Sequence, residues 1–372
     1  MSETREMTGQ ELVDRWIAFI RRFVVLNEGQ ALTVVLWVLN TWVYDKFSAV
    51  PYLELWAMTK RTGKSTLAEI MSLLSRGGRI LASVRVLQIV RMIEIEQGEY
   101  VPFIEEAERF NSGGLTETRS ILATGYRKGA VHEIASAKGG VRYRTFCPKA
   151  FVLIGNLHEI LRDRCISIRL ERGTPASNWT NERYAATDEA NDLIIAWRDV
   201  AKRMDVIKTD AGARFHAVDP TWLVSARDRE LWTPLFSLAA ALRLNDKTTA
   251  LLKRASVDLS SLKTLPAFTY HPGQEERVSD DHNAAEAVLR DALVSVRPGE
   301  ATIPTAELLN RLHSIDESPW RVWKGDGLNA ITLGALLDRF GVKSLDVQIG
   351  KGRKERRIVK GYKVSELRAV KV

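Results

Sequence analysis

Residues 51–78 have the sequence PYLELWAMTKRTGKSTLAEIMSLLSRGG. The apolar run at residues 52–56 predicts a short strand, and the apolar positions from Ser65 to Ser75 recur at helical spacing. Between the two stands Gly63-Lys64-Ser65-Thr66. A strand, a glycine turn and a helix in this order are the parts of a phosphate-binding loop, where backbone N–H groups at a helix N-terminus face the phosphates.

The usual pattern for such a loop is G-x-x-x-x-G-K-[ST], and Met58 stands at the position of its first glycine. That glycine serves mainly the turn that opens the loop, so its loss is less damaging than the loss of Gly63 or Lys64. Lys64 is predicted to reach the β and γ phosphates of ATP, and Ser65 to hold Mg²⁺. The nucleotide-binding residues predicted here are Thr62, Gly63, Lys64, Ser65 and Thr66. The alternative is a G-K-S tripeptide that occurs by chance.

The composition of the 372 residues is that of an ordinary globular protein, with 45% hydrophobic and 27% charged residues. Cys147 and Cys165 cannot build a disulfide framework or a four-cysteine zinc site, which favours a reducing cytoplasm. The N-terminus lacks the apolar core of a signal peptide, and the apolar run at residues 31–43 is too short to span a bilayer.

Positive charge is concentrated at the end of the chain, and the formal net charge is +8. Only Glu355 and Glu366 oppose the basic residues of this tail, which are Lys351, Arg353, Lys354, Arg356, Arg357, Lys360, Lys363, Arg368 and Lys371. Nucleic acid is the partner that such a tail indicates. The alternative is a solvated basic face without a ligand.

Strands alternate with helices over the first half of the chain, which predicts an α/β sheet with helices on both faces. Helices alone follow, and then a polar linker, further helices and a basic hairpin, as in a winged-helix module. The predicted domains are an N-terminal helical collar at 1–47, a P-loop core at 48–175, a helical lid at 176–268, a linker at 269–283 and a winged-helix-like domain at 284–372.

Three further polar positions follow predicted strands of the core. In VPFIEEAE we assign Glu105 to Mg²⁺ and Glu106 to the general base, because phosphoryl transfer to water needs both roles. Asn156 follows FVLIG, where an amide can orient the attacking water. Arg162 and Arg164 precede the next strand, and an arginine there could act on a neighbouring subunit's nucleotide. The alternatives are a solvated acidic turn and plain surface arginines.

Together these features resemble the AAA+/superfamily 3-like ATPases. The segments KRTGKSTL, FIEEAERF, ETRSILATGYRKGAV, KAFVLIGNLHEILRDRCISIRLER and RDRELWTPLFSLA resemble a family of ATPase domains of unknown function. Members are attached to, or encoded beside, primases and helicases of phages, plasmids and integrated mobile elements. The end of the chain, from ESPWRVW to KGYKVSEL, resembles the domain that closes this family, so that the likeness extends from about Arg22 onward.

The resemblance implies roles for two arginines. The arginine of the family's D-R-S-I corresponds to Arg164, which favours Arg164 over Arg162 as the residue that acts between subunits. Arg227 precedes the W-x-P-L motif and is a candidate phosphate sensor on the lid, with a structural salt bridge as the alternative. The family's acidic motif is I-D-E-A-D, so Glu105 and Glu108 both depart from it.

A second hairpin is predicted where alternating runs at 131–135 and 141–146 flank Ala137-Lys138-Gly139-Gly140. The resemblance places such a hairpin in the central channel of a hexameric ring, with Lys138 at its tip and with Arg142 and Arg144 facing DNA phosphates. The alternative is a hairpin that covers the sheet edge. The C-terminal wing offers a separate, non-specific grip on DNA through Lys351, Arg353, Lys354, Arg356 and Arg357.

The sequence therefore predicts an ATP- and Mg²⁺-dependent hexameric DNA helicase or translocase, acting on single-stranded or forked DNA in replication of a mobile element. A primase is a candidate partner. The rival hypothesis is a low-turnover ATP switch on DNA that recruits a primase or nuclease, and a defence or segregation ATPase is a third.

Overall fold

The computed structural model describes most of the chain in two compact units, Met1–Leu265 and Pro266–Val372. The residues described are 6–82, 85–111, 115–134, 141–203, 218–264, 288–289, 291–297, 299–315, 319–321, 327–338, 340–349 and 357–369. The predicted linker at 269–283 and the basic residues Lys138, Lys351, Arg353, Lys354 and Arg356 lie outside these ranges.

The first unit alternates strands and helices and then continues as helices alone. Its elements are α1 Gly9–Phe23, α2 Glu28–Asn40, β1 Tyr52–Ala57, α3 Lys64–Leu74, β2 Gly78–Leu81, α4 Val86–Ile95, β3 Val101–Ile104, α5 Thr116–Thr124, β4 Val131–Ile134, β5 Val141–Arg144, β6 Ala150–Ile154, α6 Glu159–Arg162, β7 Cys165–Arg169, α7 Trp179–Arg203, α8 Ala226–Ala241 and α9 Asp246–Ser261. The predicted strands β1, β3, β6 and β7 are confirmed, whereas β2 and α6 were not predicted.

Five parallel strands form the central sheet in the order β2-β3-β6-β1-β7. The prediction of an α/β fold is therefore confirmed. Strand β6 lies between β1 and β3, so the carboxyl ends of these three strands are neighbours at intervals of about 4.8 Å. The residues that follow them, which include the glycine loop, the acidic turn and Asn156, meet at one edge of the sheet.

Side chains of the strands alternate between two apolar layers, as the period of two requires. Leu53 and Leu55 of β1 pack into the layer that contains α1, α2, α3, α7, α8 and α9. Tyr52 and Trp56 pack on the opposite face with side chains of α4, α5 and α6. Because the first layer draws on the predicted collar, core and lid alike, these three segments form one unit.

The first two helices begin at well-formed capping boxes, in which Thr8 pairs with Glu11 and Asn27 with Gln30. In the ranges described, no single helix is long and apolar enough to cross a membrane. Helices α1 and α2 pass that test only as a pair and are bent by 114° relative to each other. Most of the apolar residues of this pair are buried in the first layer.

The second unit contains a three-stranded antiparallel sheet in the order β8-β10-β9. Its described elements are β8 Thr302–Pro304, α10 Thr305–Ser314, α11 Ala330–Asp338, β9 Leu345–Ile349, β10 Arg357–Lys363 and α12 Val364–Ala369, and residues 291–295 are also helical. The predicted C-terminal hairpin is confirmed as the β9–β10 pair.

Candidate functional site

The glycine loop connects β1 to α3 at the carboxyl edge of the sheet. Gly63 stands immediately before α3 with a φ of +84°, a backbone conformation that residues with a side chain rarely adopt. A Cβ there would also lie 3.4 Å from Cγ1 of Val24, in the turn after α1. Glycine is therefore required on conformational grounds, and the N-terminus of α3 faces the open end of the loop.

Lys64, the first residue of α3, is buried and folds back over the loop. Its Nζ donates to the carbonyl of Thr59 at 3.0 Å and to Oγ1 of Thr62 at 3.3 Å. Burial lowers the pKa of the Lys64 ammonium to about 8. Ser65 is exposed at the helix start, and Thr66 is half-buried beside it.

The acidic turn follows β3 at the same edge. The amide of Glu105 donates to the carbonyl of Leu81 at 3.0 Å, which extends the pairing with β2 by one residue. Glu106, the predicted general base, is exposed and has a φ of +53°. A positive φ at a residue with a side chain costs energy and is enriched at functional sites. A 3-10 helix, Ala107–Asn111, follows this turn, and Glu108 is buried within it.

Glu108 is an acidic residue that the sequence analysis did not assign to the site. It is 9% exposed, and its Oε2 has no hydrogen-bond partner among the residues described. Burial raises the pKa of its carboxyl group. Its charge also acts on Lys64, whose pKa it raises against the effect of burial. The structure thus brings Glu108 into electrostatic contact with the loop lysine.

Asn156 follows β6, between the glycine loop and the acidic turn, and is buried. Gly155 before it has a φ of +81°, and Nδ2 of Asn111 donates to the Asn156 backbone carbonyl at 2.8 Å. Its side-chain amide faces the guanidinium of Arg162, which is itself buried against Glu54 of β1. Arg162 therefore lies inside the protein and is not available to a neighbouring subunit.

A cavity of about 390 Å³ adjoins the glycine loop on the side of the N-terminal helices. Phe23 and Val24 line it from the end of α1, Thr62 and Gly63 from the loop, and Trp179 from the start of α7. This cavity is not predictable from the sequence, because its walls come from segments more than 100 residues apart. The apolar spacing of α1 was visible in the sequence, but it does not reveal where the helix ends in space.

Arg164 and Arg227 lie at the opposite edge of the sheet, where the strands begin. The carbonyl of Arg164 accepts from the amide of Tyr52, the first residue of β1. Arg164 also donates to the carbonyl of Ile160 at 2.6 Å. Arg227 donates to Asp163 and to the hydroxyl of Tyr126. The structure therefore does not bring Arg227 to the glycine loop of its own chain.

The predicted hairpin in the first unit is confirmed as the antiparallel pair β4–β5. Two of its three predicted DNA contacts, Arg142 and Arg144, pair with acids of the same chain. Arg142 pairs with Glu133 across the hairpin at 3.4 Å. Arg144 makes two bonds of 3.1 Å to Glu94 of α4, which lower the pKa of that carboxyl group. In the second unit, Arg357 begins β10 and is exposed.

Within the described part of the chain, no group of three or more His, Cys, Asp or Glu side chains is arranged to hold a metal ion by itself. The residues at the carboxyl edge nevertheless fit Mg²⁺ bound together with a phosphate ligand, since this ion prefers hard oxygen ligands and few protein groups. The oxygens available are the hydroxyl of Ser65 and the carboxylates of Glu105, Glu106 and Glu108, whose Oε2 is without a partner in the described residues.

Comparison with known families gives one match, to a family described as "Protein of unknown function (DUF3631)", over residues 268–370. This range coincides with the second compact unit. A comparison with curated proteins gives no match.

Proposed function

We propose that the first unit is a P-loop NTPase core of the AAA+/superfamily 3-like type that binds and hydrolyses ATP. One observation carries the proposal: the glycine loop, the acidic turn and Asn156 follow three adjacent strands, so that a buried lysine, carboxylates and an amide converge at one sheet edge. Ligands of open α/β sheets bind outside the carboxyl ends of the strands. The left-handed glycine before α3 adds a helix N-terminus that is suited to phosphate.

Each residue has a role in this proposal. Lys64 and the backbone N–H groups of Thr62 to Thr66 hold the phosphates, while Ser65 and Glu105 hold Mg²⁺, which neutralises phosphate charge when bound. Glu106 accepts the proton of the attacking water, and Asn156 orients that water. The buried Glu108 raises the pKa of Lys64 against the lowering effect of burial.

The adjoining cavity supplies a place for the nucleoside. Its volume of about 390 Å³ lies within the range of small-molecule sites, and Phe23, Val24 and Trp179 give it apolar walls next to the loop. Thr62, Gly63 and Thr66 of the glycine loop border this cavity, so a nucleoside held there would be adjacent to the proposed phosphate site.

For the whole chain we infer a ring-forming DNA helicase or translocase of a mobile element, active in DNA replication, with a hexamer as the expected assembly. Arg164 suits action on a neighbour's nucleotide, because it lies at the sheet edge opposite to its own glycine loop. The element order of the second unit, with a strand between helices and a terminal hairpin, supports a winged helix that grips DNA.

A low-turnover ATP switch that recruits a primase or nuclease is the second candidate. The burial of Glu108 and the exposure of Glu106 favour it, because the acid coupled to Lys64 is not the one predicted to activate water. In that case ATP binding, rather than hydrolysis, would change the affinity for DNA or for the partner.

Steady-state ATP hydrolysis, with and without single-stranded DNA, separates the two candidates. We expect DNA-stimulated turnover in the wild type and a loss of at least about 100-fold in Lys64→Ala and Glu106→Gln, as when a key electrostatic group is removed from an active site. Lys128→Ala is the matched control, since Lys128 donates to the carbonyl of Asp45 at the opposite edge of the sheet. Tight binding that requires Lys64, with negligible turnover, would favour the switch.

A further inference from the structure

Glu54 is an acidic residue in the middle of the interior strand β1, and it is fully buried. Its carboxylate accepts from the amide of Leu157 at 2.7 Å and from the hydroxyl of Ser167 on β7. A buried charge of this kind is costly unless it is paired. Its ionic partner is Arg162, whose Nε lies 3.4 Å from Oε2 of Glu54.

Arg162 joins this buried acid to two other parts of the unit. Its two terminal nitrogens lie 2.7 and 2.9 Å from one end of the side-chain amide of Asn156. One of them also donates to the carbonyl of Leu262 at 2.5 Å. Leu262 begins the short helical turn that follows α9. A single guanidinium thus contacts the centre of the sheet, the amide after β6 and the end of the helical layer.

We propose that Arg162 is a positioning residue that fixes the orientation of the Asn156 amide and links it to the end of α9. A guanidinium only donates, so the amide atom that faces it is the oxygen. The other end of the amide is then a donor, which is the polarity that a phosphate oxygen or a water oxygen requires. This inference rests on the proposed function, in which Asn156 acts on the water or the γ-phosphate.

The hydrogen bond from Arg162 to the Leu262 carbonyl has a second consequence. A shift of the Asn156 amide on phosphate binding or release would move the guanidinium, and with it the carbonyl at the end of α9. The chain continues from there toward the second unit. Arg162 is therefore the group through which occupancy of the nucleotide site would reach the segment that leads out of the first unit.

A double-mutant cycle tests the positioning role. Arg162→Lys should lower kcat by about tenfold or more with a KM for ATP within about threefold of wild type, because small displacements of a catalytic group are costly. Asn156→Ala should lower kcat further, and Arg162→Lys combined with Asn156→Ala should be no slower than Asn156→Ala alone, since groups that act as a unit are non-additive. Effects that multiply in the double variant would overturn the proposal.

The control variant is Lys263→Gln, which breaks a partly buried ion pair with Asp228, of 2.6 Å, next to Leu262 but leaves the Asn156 contacts in place. We expect it to lose stability with little change in kcat. If Arg162→Lys lowers kcat no more than Lys263→Gln does, Arg162 is only structural and the proposal is overturned.

Urea unfolding tests the contact without any nucleotide. Asn156→Asp keeps an acceptor toward Arg162, whereas Asn156→Leu has a similar size and leaves the guanidinium without that partner. We expect Asn156→Asp to unfold at the higher urea concentration, and the reverse order would overturn the assigned amide orientation. A wild type that neither binds nor hydrolyses ATP would contradict the proposed function. The order of the two unfolding midpoints would still test the contact between Asn156 and Arg162.

Discussion

The two edges of the parallel sheet differ in how the partners of their charged residues are supplied. At the carboxyl edge, Lys64 is buried with a pKa lowered to about 8, and the buried carboxyl group of Glu108 has a raised pKa. At the amino edge, Arg127 and Arg227 both pair with Glu230, and Arg227 also pairs with Asp163. Lys149, just before β6 at the amino edge, is also buried with a lowered pKa, but its Nζ donates to the carbonyls of Thr145 and Cys147. Oε2 of Glu108 at the carboxyl edge has no hydrogen-bond partner among the residues described.

This difference is consistent with the proposed nucleotide site at the carboxyl edge. Perturbed pKa values that arise from burial and from a specific charge partner cluster at functional sites. A bound polyphosphate would supply a negatively charged partner for the buried Lys64 ammonium. Under the proposed function, the arginines of the amino edge act when a second subunit approaches.

We expect the largest effect from removing Arg164, the arginine proposed to act on a neighbouring subunit's nucleotide. Arg164→Ala should retain ATP binding and lose turnover by a factor of about 1,000 or more, the range measured for arginines that act in trans. A 1:1 mixture of Arg164→Ala and Lys64→Ala should regain turnover at about a quarter of the interfaces if rings form at random. Steady-state hydrolysis of each variant and of the mixture measures this.

The matched control for that experiment is Arg127→Ala, which removes an exposed arginine of the same cluster. It should leave turnover close to wild type. If the mixture of the two inactive variants stays inactive although mixed oligomers form, Arg164 does not act between subunits.

A smaller effect, of about tenfold, is expected from pH. Only the charged form of Lys64 attracts phosphate, and with a pKa of about 8 roughly a tenth of it is charged at pH 9. The affinity for ATP should therefore fall about tenfold between pH 7 and pH 9. Titrations of a fluorescent ATP analogue across this range measure the fall.

Protein stability changes in the opposite direction, which keeps the two effects apart. Between pH 8 and the unfolded value of 10.5, the unfolded chain holds the Lys64 proton and the native chain does not, so this group makes stability rise with pH.

Glu108→Gln removes a charge that raises the Lys64 pKa, so the loss of ATP affinity should begin at lower pH. Glu99→Gln, at an exposed acid paired with Arg76, should cause no such shift.

The smallest effect is expected at Met58. Its side chain is half-buried and packs against the layer that contains α4 and α5, and a nitrogen of Arg169 approaches its sulfur at 3.8 Å. Met58→Gly should change kcat by less than about threefold and cost about 1 kcal/mol of stability through lost burial. A gain in turnover of tenfold or more would show that Met58 limits the loop.

Much of this arrangement could be predicted from the sequence, because its strands are short apolar runs bounded by turn residues. The exceptions have physical causes. Strand β2, with the sequence GRIL, lies at the sheet edge and is only half-buried, so it lacks the apolar run of an interior strand. Helix α6 has four residues, too few to show a period.

The site itself was less predictable, because its geometry depends on turns and on long-range contacts. The acidic motif by itself pointed to Glu105 and Glu106, but Glu108, which follows the left-handed turn at Glu106, is the buried acid. A left-handed backbone conformation at a glutamate cannot be predicted from residue type. A usable signal for Arg162 was present in YLELW, since an acid amid a buried strand requires a buried cationic partner.

The most direct measurement is a calorimetric titration of ATP with Mg²⁺ into the wild type, Lys64→Ala and Lys128→Ala. We predict one ATP site per chain in the wild type, the same site in Lys128→Ala, and an affinity at least about 100-fold weaker in Lys64→Ala. Binding of ATP that is unchanged in Lys64→Ala, or weakened only in Lys128→Ala, would contradict the assignment of the nucleotide to the carboxyl edge of the sheet.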